Sequence, residues 1–366
     1  MAITRIGNPA IADVRGVNFR NIIINGGMDI AQRATSVSSL TSGGYKTVDR
    51  FNFGISSAGT WTISQDTDVP TGQGFAKSTK LDCTTANASL GASAELNFYQ
   101  KIEGQNLQYL KKGTSSAESV TLSFWVKSNK TGTYTAEIFD NDNSRQISKT
   151  YTISSADTWE KKTITFPGDT TGALDNDNAV SFWIFFWLGA GSNLTSGTLS
   201  TTWTSSTSAN RVSSSNVNLA DSTSNEWYVT GIQLEAGSQA SDFEFLPVDV
   251  NLARCQRYYQ KSYDIASAPG TVTNNGALWS NIIRNASNQN YWDVRCYQTM
   301  RTSPTVSTYS TTSGVSGNFR NVTDSTTNAS AVSNTSQAGF SIRPNAGTNQ
   351  GSGDVIAVHW EASAEL

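Results

Sequence analysis

Histidine is almost missing from this chain, with one residue, His359, in 366. A Ser-His-Asp relay would have to run through it, yet it sits in VIAVHWEA, an alternating apolar stretch that reads as a strand. A structural place is expected for it. GxSxG, HExxH and phosphate-loop glycine patterns are missing as well. The three cysteines, Cys83, Cys255 and Cys296, are far apart and have no CxxC spacing. That excludes a disulfide framework and a sequence-local zinc site, and it fits assembly in a reducing cytoplasm. Charge is thin too. At 15% charged residues and a net charge of −3, no cluster of Lys and Arg can serve a phosphate backbone, which excludes nucleic acid as the main partner. The longest apolar run, Val180–Leu188, is about half of the ~20 residues a membrane helix needs. The opening MAITRIGNPAIADVRG lacks the apolar core of a cleavable signal, so a soluble chain is expected.

What remains is Ser, Thr, Asn and Gly, together with 10 Trp, 12 Tyr and 15 Phe. Ser, Thr and Asn compete with a helical backbone for hydrogen bonds, whereas aromatic and β-branched residues suit pleated surfaces. The fold class expected is all-β. From Ser119 the strand signals come regularly, in SVTLSFWVKS, GTYTAEIFDN, SRQISKTYTI, WEKKTITFPG and AVSFWIFFWLGAG, separated by polar turns. Such spacing predicts a jelly-roll β-sandwich. NIIING (21–26), WTISQD (61–66) and KSTKLDC (77–83) read as further strands, and Ala94–Leu110 as helical or mixed. Residues 190–225 read as a long surface loop of the kind that carries binding groups. Trp227–Leu234 reads as the closing strand.

Beyond that strand, Pro247 turns the chain into a short helix around Val250–Tyr258, which Asp249 or Asn251 can cap. A smaller β-sandwich-like domain follows, in which Thr311–Gln337 reads as one low-complexity loop or a meandering edge. The division expected is an arm at 1–20, a jelly roll at 21–248 and a C-terminal β-domain at 249–366.

Two clusters, FDNDN and LDNDN, place Asp140, Asp142, Asp175 and Asp177 in turns. Asp and Asn favour turns through side-chain bonds to nearby backbone, and that reading is preferred. The sharper alternative is an oxygen-rich calcium site, although neither cluster has the EF-hand spacing. Trp125, Trp183, Trp187 and Trp227 lie in alternating apolar strands and read as core. Trp203 lies in the polar loop and is the candidate exposed contact for a ligand or a neighbouring subunit.

Several stretches resemble bacteriophage tail-fibre and virion surface proteins. They are GIQLEAGSQASDFEFLP followed by NLARCQRYYQKS, then NIIINGGMDIAQR, YKTVDRFNF, LSFWVKSNKTGTYTAEIFD and the final SAEL. The resemblance implies a jelly roll like a carbohydrate-binding module joined to a smaller β-domain, in a glycan-facing homo-oligomer that is often a trimer. It implies a non-enzymatic structural protein at the virion surface, recognising a host surface glycan as a tail fibre or fibre tip. A capsid decoration protein is the alternative, and a glycan depolymerase, which needs two acidic groups flanking a cleft, is the third reading. The partners implied are other virion proteins and the host glycan. Arg5, Ile6, Pro9, Ile11, Val14 and Arg15, in an arm without its own core, are the candidate virion anchor.

Overall fold

The computed structural model describes residues 19–282, 291–345 and 351–366. The anchor candidates Arg5, Ile6, Pro9, Ile11, Val14 and Arg15 lie outside them. The first part of the chain forms β1 (Ser36–Leu40), β2 (Phe51–Ser56), β3 (Thr60–Asp66), β4 (Ser78–Thr85), β5 (Glu95–Glu103) and β6 (Val120–Ser128). It continues with β7 (Gly132–Asp140), β8 (Arg145–Ile153), β9 (Glu160–Phe166), β10 (Val180–Ala190), β11 (Thr204–Ser205) and β12 (Glu226–Ala236). They pair antiparallel in two sheets, β1-β3-β4-β12-β6-β9 and β11-β8-β7-β10-β5-β2. The sheets face one another across one apolar core, which makes this part a jelly-roll β-sandwich.

The period-two geometry of a strand decides what each side chain does. Along β10, Phe182, Ile184, Phe186 and Leu188 point into the sandwich. Trp183, Phe185 and Trp187 point out of the other face, where they form a separate apolar cluster. Phe124, Phe98 and Trp227 fill the middle of the core in edge-on ring contacts. Trp187 and Trp227 are buried as expected, whereas Trp125 and Trp183 are only half-buried.

Several local expectations change. NIIING is not a strand. The Asn21 side chain stands in for ladder bonds there, accepting from the N–H groups of Ile23 (3.0 Å) and Leu234 (3.1 Å) and donating to the Ile232 carbonyl (3.1 Å). The turn that follows seats on an irregularity of β12 between Thr230 and Gln233. A Cβ on Gly26 would come within 2.0 Å of the Ile232 carbonyl oxygen, so only glycine fits. Residues 95–103 are not helical but a central strand of the second sheet, paired with β10 and β2. The helix Val248–Gln256 has Pro247 at its N-cap, and neither Asp249 nor Asn251 caps it. Asn251 is buried instead and bonds to Asn25 (3.2 Å).

The C-terminal part contains β13 (Tyr259–Lys261), β14 (Leu278–Asn281), β15 (Trp292–Arg295), β16 (Thr305–Tyr309) and β17 (Asn318–Asn321). It ends with β18 (Thr326–Ser336), β19 (Gly339–Pro344) and β20 (Val355–Ser363). β20 pairs with β13, β14, β16 and β17, and its apolar residues centre a second core. Of the two readings of Thr311–Gln337, the loop gives way, since the stretch is largely the paired strands β17 and β18. Small hydroxyl side chains leave β18 half-exposed while its backbone pairs on both sides.

Between the two cores lies a seam rich in buried charge. Glu365 pairs with Arg50 and with Arg33 (3.1 Å), and Arg33 lies within 3.9 Å of Asp49. The rings of Tyr258 and Tyr259 lie under the Arg50 and Arg33 guanidiniums at 3.4 and 3.8 Å. Tyr45 and Lys101 donate to the Leu366 carbonyl at 3.1 and 2.8 Å. Glu103 accepts from Arg257 at 2.8 and 2.7 Å and from the Tyr258 hydroxyl.

Removing one partner of a buried ion pair strands the other charge, at a cost of about 3–5 kcal/mol. Glu365→Ala is therefore expected to lower stability by about that amount in denaturant unfolding and to uncouple the C-terminal unit into an earlier transition. Glu103 gives the pH dependence. Burial pushes its carboxyl up, but the bonds from Arg257 and Tyr258 outweigh burial and hold it below the usual range. A depressed carboxyl stabilises fully above its unfolded value and loses that contribution as pH falls through the folded one. Stability is thus expected to fall in acid below about pH 4.5, and Glu103→Gln is expected to flatten that dependence in a pH series of melts.

Candidate functional site

On the outer face of the second sheet lies a cleft of about 420 Å³. Its floor is an aromatic row set by strand periodicity. Trp183 stacks on Phe185 and Phe185 on Trp187, both at 5.4 Å, and Tyr99 of the neighbouring strand packs against Trp183 at 5.3 Å and Phe185 at 4.9 Å. Phe139 extends the row on β7. Polar groups flank it, with Asn52 from β2, Glu95 and Asn97 from β5, and Arg211 from the loop after β11. Gly54 makes room on the floor, since a Cβ there would lie 2.1 Å from Asn97 Oδ1.

The loop 190–225 does more than cover the surface. Leu194 and Val212 are buried beside Trp187, which places this tryptophan in a small apolar cluster on the outer face of the sheet. Arg211 enters the cleft from this loop and packs 5.1 Å from the Phe139 and Phe185 rings. Its Nε and Nη2 donate to Glu137 at 2.8 and 3.0 Å, and Trp187 Nε1 donates to the same carboxylate at 2.8 Å. Burial raises the Glu137 carboxyl, and the Arg211 charge pulls it back. Glu137 is fully buried and its oxygens are taken, so it fixes the aromatic floor from beneath and offers nothing to a ligand.

The candidates named from sequence fall elsewhere. Trp203 is half-buried, donates to the Pro167 carbonyl (2.8 Å) and stacks on Phe182 at 6.1 Å. It does not line the cleft. The FDNDN and LDNDN turns do meet, because Asp142 accepts the N–H of Asp175 (3.0 Å), while Asp177 accepts that of Ala179 (2.9 Å). The cation beside Asp140 is Lys112, with Nζ 2.6 Å from Asp140 and 3.1 Å from Asp169. Among the described residues no three His, Cys, Asp or Glu side chains converge to hold a metal ion such as calcium. His359 stacks on Tyr263 at 3.8 Å, with Nδ1 2.9 Å from Ser262 Oγ and Nε2 3.1 Å from the Thr273 carbonyl.

The cleft residues carried partial signals. Trp183 and Trp187 were visible but indistinguishable from core, since a strand inside two apolar clusters shows no polar face. Arg211 lies in the 190–225 loop, whose composition reads as a binding element. Glu95, Asn97 and Tyr99 were hidden by the helical reading of their strand.

No protein-family model matches the chain. No curated protein matches it either. Among solved structures, the enzymatically active domain of tailspike protein 4 of bacteriophage CBA120 is similar at 16% identity and TM-score 0.34, over 60% of this chain and 22% of that one. The family 11 carbohydrate-binding module of a Clostridium thermocellum cellulosomal cellulase is similar at 11% identity and TM-score 0.28, over 56% and 98% of the two chains. A family 61 module solved with β-1,4-galactotriose shows 10% identity and TM-score 0.29, over 59% and 99%. At these scores the likenesses carry no weight, and the fold rests on the strand pairing above.

Arg211→Ala is expected to leave Glu137 buried without its partner and to lower stability by about 3–5 kcal/mol in denaturant unfolding. A loss under about 1 kcal/mol would mean that the pair does not hold the floor.

Proposed function

We propose that the cleft binds a glycan and that the chain is a non-enzymatic virion surface protein, a tail fibre or fibre tip that recognises the host surface. The observation that carries the glycan reading is the row Tyr99–Trp183–Phe185, flanked by Asn52, Glu95 and Asn97. Flat rings pack against the C–H faces of pyranoses, while amide and carboxylate groups at the edge bond to hydroxyls. A cleft with an apolar lining and a few placed polar groups is the usual form of a small-ligand site. The virion setting is supported by the fibre-like stretches in the sequence, with residues 1–20 proposed as the attachment segment.

Two carboxylates serve the cleft, Glu95 in its lining and Glu137 beside Arg211, while Glu103 on the same row of β5 is taken by Arg257 at the seam. Glycoside hydrolysis needs a free acid and a free base or nucleophile on either side of the bond. With Glu137 sealed under Arg211 and Trp187, one of the two is spent, which favours binding without cleavage.

Trp183→Ala is expected to weaken binding of host surface polysaccharide at least tenfold in calorimetry, with the melting temperature little changed because the ring is only half-buried. Unaltered affinity would remove the cleft from recognition, and release of reducing ends by the wild type would replace binding with hydrolysis. A fibre is expected to have three times the chain mass in light scattering, and a monomer would favour the capsid decoration reading.

A further inference from the structure

The cleft carries a charge balance that narrows its ligand. Its cation, Arg211, is already committed to the buried Glu137 through two bonds of 2.8 and 3.0 Å. Glu95, half-buried at the end of β5, lines the same cleft. The lining therefore holds one carboxylate, Glu95, beside one guanidinium whose charge the buried Glu137 already neutralises from outside the lining. Two further cations border the cleft outside its lining: Lys101 lies 4.3 Å from the Trp183 ring but donates to the Leu366 carbonyl at 2.8 Å, and Lys46 Nζ lies 3.4 Å from where a Cβ on Gly44 would stand.

Two polar atoms of the lining also lack partners. Asn97 is 2% exposed, and its Oδ1 accepts no hydrogen bond. Trp183 Nε1 donates none. A buried polar atom left unpaired costs about 1–3 kcal/mol, so a ligand hydroxyl that pairs with it gains in the bound state. An amide also offers a donor at one end and an acceptor at the other, which matches a sugar hydroxyl in either sense. An anionic group would instead meet Glu95 across a partly dehydrated cleft, where like-charge repulsion is stronger than in water.

Resting on the glycan reading of the cleft, we infer that its ligand is an uncharged or amine-bearing saccharide and that Glu95 and Asn97 impose that choice. Glu95 excludes uronates, sialates and phosphorylated sugars. Asn97, held over Gly54, reads a hydroxyl of the ring stacked on Trp183.

The test is a printed array of neutral, amino and acidic oligosaccharides probed with the full chain, its Trp183→Ala, Glu95→Gln and Asn97→Ala variants, each checked by thermal melting. The wild type is expected to bind neutral or amino members and to lose them with Trp183→Ala. Glu95→Gln is expected to raise binding of acidic counterparts of those members at least tenfold. Asn97→Ala is expected to weaken the neutral members at least fivefold. Acidic members leading the wild-type set, or a Glu95→Gln set identical to the wild type, would overturn the inference while leaving the glycan reading standing. If the wild type bound nothing, or its binding survived Trp183→Ala, the glycan reading itself would fall and the inference with it.

Discussion

The structure depends on buried charge at the seam, above all on the pairing of Glu365 with Arg50 and Arg33. Arg50 is fully buried, and an unpaired guanidinium there would carry a desolvation penalty of several kcal/mol. Its carboxylate partner comes from the far end of the chain, and so does the Leu366 carbonyl that accepts from Tyr45 and Lys101. The last residues therefore belong energetically to the first sandwich. Such a pair demands a fixed geometry, which is how polar burial can specify one arrangement of two β-units.

β5 joins that constraint to the cleft. Glu95, Asn97 and Tyr99 lie along one row of the strand and line the cleft. Lys101 and Glu103 continue the same row into the seam, Lys101 at Leu366 and Glu103 at Arg257. The opposite row, Leu96, Phe98 and Ile102, sits in the sandwich core. Anything that tilts the seam also tilts the strand that carries the polar half of the cleft. β10 supplies the aromatic half by the same alternation, so two adjacent strands carry most of the site.

Much of this organisation was legible in the residues. The strands from Val120 to Ala190 match the alternation read from SVTLSFWVKS to AVSFWIFFWLGAG. The segments that resemble phage fibre proteins, NIIINGGMDIAQR, YKTVDRFNF, NLARCQRYYQKS and SAEL, converge on the seam in space. Their residues Arg33, Arg50, Tyr258 and Glu365 form its buried network. What was not legible has physical causes. β5 alternates Asn, Tyr and Lys with Leu, Phe and Ile, but the turns at Gly104–Asn106 and Gln108–Leu110 directly after it blurred the period. Trp203 looked unsupported because its neighbours in sequence are polar, while its packing partner Phe182 comes from another strand. Trp183 read as core because its strand is apolar on both faces, one facing the sandwich and the other the cleft.

The most direct measurement follows the indole N–H resonances of the ten tryptophans by heteronuclear NMR as an oligosaccharide pool is added. Trp183 Nε1 has no partner and lines the cleft, so its resonance is expected to move and saturate, while that of Trp227, deep in the sandwich core, stays in place. Saturable shifts at other tryptophans with Trp183 unmoved would contradict glycan recognition by this cleft.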